Sequence, residues 1–148
     1  ALTGWRLGWI IANKELTQKL SEFQSQTLTC MPDFLQIALE KTLNEEKHFV
    51  ETLKKQIQKR YEFAFNELKD CKGIKVFKSE GAFYLWFEVL DKSMTSAKIC
   101  EELLASNGLA LVPGSSFGCE NHLRFSVTIP DEKLKSGLQR LKKYFNKK

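Results

Sequence analysis

The chain has 148 residues, 43% of them hydrophobic and 11% aromatic, with a formal net charge of +5. That length and composition fit an ordered domain with a real core and exclude a disordered chain. The longest clear apolar runs, Leu7 to Ala12 and Ala82 to Phe87, are far too short to cross a bilayer, so no membrane partner is expected.

No secretory signal is visible in these residues. Cys30, Cys71, Cys100 and Cys119 are widely separated, and no two fall at CxxC spacing. With only His48 and His122 to join them, no metal site is expected, and four thiols beside an adequate core fit a reducing cytoplasm. Lys142, Lys143, Lys147 and Lys148 make the tail basic, while elsewhere lysines alternate with acids, as in Glu45-Glu46-Lys47 and Asp131-Glu132-Lys133. Such alternation marks solvated helix faces, and no nucleic-acid-reading motif is present, so no nucleic acid partner is expected.

In chain order, Leu7 to Ala12 reads as a short buried strand closed by Asn13. Lys14 to Gln26 reads as an amphipathic helix carrying Leu16, Leu20 and Phe23 on one face. Thr27 to Pro32 is a break, and a second helix follows Pro32. From Glu46 to Cys71, Val50, Leu53, Ile57, Tyr61, Ala64 and Leu68 recur at steps of three and four, predicting a long helix. Gly73 is placed to end it with a left-handed cap. Ile74 to Lys78 and Ala82 to Val89 read as strands around the turn Ser79-Glu80-Gly81. Thr95 to Ser106 reads as a helix ended at Asn107-Gly108, and Leu109 to Val112 as a short strand. His122 to Ile129 reads as a strand, and Pro130 sits at the first position of a last helix. The order predicts an α/β or α+β layered domain around a small mixed sheet.

Three places in this pattern could carry chemistry. Arg6 lies between Trp5 and Trp9 at the head of an apolar run, where a charge must be paired or exposed. It is either an ion-pair partner or an anion site, since a guanidinium meets a phosphate with two parallel hydrogen bonds and stays charged. Gly4 beside it would allow close backbone approach. Arg124 falls on the face of its strand shared with His122, Ser126 and Thr128, opposite Leu123, Phe125, Val127 and Ile129. It either faces solvent or clamps a carboxylate. Pro113-Gly114-Ser115-Ser116-Phe117-Gly118 is a turn with hydroxyls, but it lacks the GxSxG spacing of a hydrolase elbow.

Three stretches in the same order carry a family resemblance: Leu2-Thr3-Gly4-Trp5-Arg6-Leu7-Gly8, Glu80-Gly81-Ala82-Phe83-Tyr84, and Val112 to Gly118 continuing into His122-Leu123-Arg124-Phe125-Ser126. Together they resemble the TGWR, GAFY and VPGxxFG…xxRxS motifs of class I/II, fold-type-I pyridoxal-phosphate aminotransferases of the aspartate aminotransferase group. The resemblance implies the C-terminal portion of that fold. Residues 1–45 would end the large cofactor-binding domain, 46–71 would form the interdomain helix, and 72–148 the small domain. It implies that Arg6 binds the phosphate of pyridoxal 5'-phosphate and that Arg124 binds the substrate α-carboxylate. The substrates would be an amino acid and a 2-oxo acid, and the full-length enzyme a homodimer.

The resemblance places the Schiff-base lysine upstream of Ala1, so this chain alone is expected to be inactive and to contain no catalytic residue. Family members often carry a Ser-Asn-Pro or Thr-Ser-Pro step with glutamine five residues after the proline. Here Thr29-Cys30-Met31-Pro32 is followed by Gln36 after four, and no site residue is assigned to that segment. A pyridoxal-phosphate C–S lyase of the same fold is the alternative chemistry. A non-catalytic basic α/β binding module is the alternative without chemistry.

Overall fold

A computed structural model describes residues 3–45 and 47–146. Leu2 of the first motif, Glu46 at the expected start of the long helix, and the tail lysines Lys147 and Lys148 lie outside the described residues. The chain divides into two compact units, 1–53 and 54–148, with the division falling inside the long helix.

In the first unit, a 3-10 turn over Thr3–Trp5 precedes α1 (Lys14–Thr27) and α2 (Asp33–Glu45). Asn13 starts α1 by accepting a hydrogen bond from the Leu16 amide at 2.9 Å, as a helix cap should. The long helix α3 (Lys47–Leu68) begins in this unit. Leu7 to Ala12 forms no strand, contrary to the sequence expectation, and Ile11 is 90% exposed. A strand needs a ladder partner for its backbone groups, and among the described residues none pairs with this segment.

The second unit holds the hydrophobic core. Four strands, β1 (Ile74–Phe77), β2 (Tyr84–Val89), β3 (Val112–Pro113) and β4 (His122–Ser126), form one sheet in the order β1-β2-β4-β3. Every ladder is antiparallel, so the sheet is not mixed as expected. The helix α4 (Ser96–Asn107) does connect two strands of like direction, β2 and β3, but β4 inserts between them and pairs with both. Alternation sends Leu85, Phe87 and Val89 of β2, Leu123 and Phe125 of β4, and Val127 just after β4 into the core. Helix α5 (Asp131–Phe145) meets the core with Leu134, Leu138, Leu141 and Phe145, spaced for one helical face. Its start is tied to α3 by Arg60 and Asp131 at 2.6 Å.

Several boundaries differ from the sequence reading. Helix α3 ends at Leu68 rather than Cys71, and Pro130 caps α5 instead of entering it. Of the expected strand over Leu109 to Val112 only Val112 is in a strand, which continues to Pro113. Gly73 is not among the positive-φ residues, so it makes no left-handed cap. Its glycine requirement is steric instead: a Cβ there would lie 2.6 Å from the Phe145 carbonyl oxygen at the end of α5.

Candidate functional site

In the first unit, Arg6 follows the 3-10 turn with φ of 55°, an uncommon value for a residue with a side chain. It is exposed, and among the described residues nothing forms an ion pair or hydrogen bond with it. The ion-pair reading of its sequence position is therefore not realised within the described residues. A Cβ on Gly4 would meet nothing within 4 Å, so no contact in this unit demands glycine there. A guanidinium left without a carboxylate has the donor set that a phosphate dianion requires. Further along, Thr29 also has positive φ, and the Gln36 side chain donates to the Met31 carbonyl at 2.8 Å, which folds the Thr29 to Pro32 segment back onto the start of α2.

In the second unit, Arg124 stands on the sheet face opposite the core, as its strand alternation predicts. It is half-buried, opposite Trp86 on β2 and Val112 on β3. Its guanidinium carbon lies 4.2 Å from the Tyr84 ring centroid and 4.7 Å from that of Phe117. Among the described residues no carboxylate pairs with it. The same face continues as an aromatic row. Trp86 stacks on His122 at 5.3 Å, His122 on Phe77 at 5.8 Å, and Phe117 meets Trp86 edge-on at 5.8 Å.

The loop that brings Phe117 here is a 3-10 turn over Gly114–Phe117. Gly114 permits it, because a Cβ would fall 2.6 Å from the His122 carbonyl oxygen and collide with that of Cys119. The Cys119 amide donates back to the Gly114 carbonyl at 3.0 Å. The loop is also anchored to α4. The Ser115 amide donates to Oγ of the fully buried Ser96 at 3.3 Å, and the Ser96 amide donates to the Glu120 carboxylate at 2.6 Å. Hydrogen bonds from the Ser96 hydroxyl and the Ser96 amide, and one from the Asn121 amide, hold the Glu120 carboxyl below its ordinary value of 4.5.

Arg6 and Arg124, the two residues singled out from the sequence, belong to different units. Tyr84 and Phe117 lie inside quoted motifs but carry no role in the sequence reading. Tyr84 could have been found by alternation from the buried Leu85. Phe117 sits in a loop, where no periodicity points to it.

The sequence pattern described as "Aminotransferase class I and II" matches residues 1–141. An aspartate aminotransferase of Pyrococcus abyssi is 34% identical over 152 residues, covering 100% of this chain and 39% of that protein. The structure of an aromatic aminotransferase from Pyrococcus horikoshii superposes with a TM-score of 0.88 at 32% identity, over 99% of this chain and 40% of that one. That of the Thermotoga maritima aspartate aminotransferase gives 0.83 at 34% identity, over 98% and 37%. The chain thus spans about two-fifths of the length of these relatives. With a family pattern matched along nearly its whole length and a fold shared with aminotransferase structures, the chain belongs to the class I and II aminotransferases.

Proposed function

We propose that the whole protein is a pyridoxal 5'-phosphate-dependent aminotransferase that moves an amino group from an amino acid to a 2-oxo acid. The observation that carries this reading is Arg124, a half-buried guanidinium flanked by two aromatic rings and, among the described residues, unpaired with any carboxylate. Such a group binds a carboxylate with two parallel hydrogen bonds and so fixes the orientation of an amino acid. Arg6 holds the cofactor phosphate. When bound, the cofactor supplies the electron sink that labilises the α-proton. Helix α3 links a large cofactor-binding domain, ending near residue 45, to a small domain from residue 72. The family resemblance supports a homodimer, and the free thiols Cys30, Cys71, Cys100 and Cys119 fit the reducing cytoplasm.

The test is Arg124→Lys in the whole protein. It keeps the charge and loses the two-pronged match. Charged hydrogen bonds are worth about 1.5–3 kcal/mol, so kcat/KM for an amino acid falls roughly tenfold to a thousandfold while cofactor affinity barely moves. A kcat/KM within about a factor of two of the native value would make Arg124 a bystander.

A further inference from the structure

We propose that Tyr84 and Phe117 are positioning residues. Their rings hold the Arg124 guanidinium in place while leaving its N–H donors free for a substrate carboxylate. The proposal rests on the reading of Arg124 given above.

A half-buried guanidinium has lost part of its hydration and needs compensation. The usual compensation is a carboxylate, and here, among the described residues, none is paired with Arg124. The rings stand in its place, at 4.2 and 4.7 Å, well inside the ~6 Å reach of cation–π attraction. The distinction matters chemically. A carboxylate partner would occupy the bidentate edge and compete with substrate. A ring offers its electron-rich face, so the five in-plane N–H donors keep their capacity for a carboxylate.

The rings are themselves held. Tyr84 is fixed on β2 opposite Ser126 and packs on Phe83 with centroids 4.3 Å apart. Phe117 leans edge-on against Trp86, the residue paired with Arg124 across the sheet. Its loop is anchored through Ser115 to the buried Ser96. Two elements distant in sequence thus converge on one guanidinium, and neither ring donates or accepts a hydrogen bond with it.

The experiment is steady-state kinetics of the whole, cofactor-loaded protein carrying Tyr84→Leu, Phe117→Leu, Tyr84→Phe or Arg124→Lys. Phe117 is 49% exposed, so its replacement leaves the core intact and keeps the test sound if Tyr84→Leu fails to fold. Each leucine variant should raise KM for the amino acid by roughly two- to thirtyfold, the span of cation–π strengths, with a smaller change in kcat. Tyr84→Phe keeps the ring and should stay near native. Transfer from the corresponding primary amine, which has no carboxylate, should respond to none of the ring changes. Native KM in a folded Phe117→Leu protein, with KM raised in Arg124→Lys, would overturn the clamp and leave the role of Arg124 standing. Native KM in Arg124→Lys as well would overturn both.

Discussion

Arg6 and Arg124 carry the same charge in different surroundings. Arg6 is exposed on a backbone turn, while Arg124 is set between two rings on a sheet. Removing a guanidinium from a phosphate costs about 1.5–3 kcal/mol, one to two orders of magnitude in affinity. Arg6→Ala in the whole protein should therefore weaken cofactor retention by roughly ten- to a hundredfold, with activity partly restored by excess pyridoxal phosphate. Arg124→Ala should show no such rescue. Titrating the cofactor into both variants and following its absorbance checks this, and unchanged affinity in a folded Arg6→Ala protein would leave Arg6 without its assigned ligand. Both arginines stand out in the sequence, Arg6 by its charge at the head of an apolar run and Arg124 by the face it takes in its strand, but only the family resemblance proposes what each binds. Their neighbours stand out less. Alternation places Tyr84 on the right face, but Phe117 reaches Arg124 only through a loop that depends on Gly114, Ser96 and Glu120.

Helix α4 shows how that loop is held. Its first turn is satisfied twice, by Thr95 Oγ1 accepting from the Lys98 amide and by Glu120 accepting from the Ser96 amide. A carboxylate at a helix N-terminus also meets the positive end of the helix dipole. The Glu120 pKa is lowered by folding, so its stabilisation is fully present above its ordinary value of 4.5 and is lost as pH falls through the depressed folded value. Glu120→Gln keeps an acceptor and removes the charge. The variant should melt below the native protein at neutral pH, and the gap should close as the pH drops below 4.5. Thermal melts across that range measure it, and a gap independent of pH would remove the charge from the explanation. Helices were the most legible elements, because their periodicity extends over many residues, as from Lys14 to Thr27. Strands that depend on distant partners were less so. Leu7 to Ala12 has strand composition and, among the described residues, no ladder, and β3 consists of the two residues that pair with β4.

Across the molecule, burial is uneven. Among the described residues, every buried hydrophobic residue of the core lies between Tyr61 and Phe145, while α1 buries none of its residues, and Trp9, Ile10, Phe23 and Phe34 are exposed. The thiols divide by burial: burial pushes the Cys100 thiol up to about 11, whereas Cys30 of the first unit and Cys119, on a loop of the second, are exposed. The chain spans about two-fifths of the length of its relatives. The activity proposed is that of the whole protein, and the fate of nitrogen tests it most directly. The protein, loaded with pyridoxal phosphate, would be given a nitrogen-15-labelled amino acid and an unlabelled 2-oxo acid, and the products resolved by mass spectrometry. Transamination predicts that the label appears in the new amino acid formed from the 2-oxo acid, with no labelled ammonia. Release of labelled ammonia without that product, as in a C–S lyase, or no movement of nitrogen at all, would contradict it.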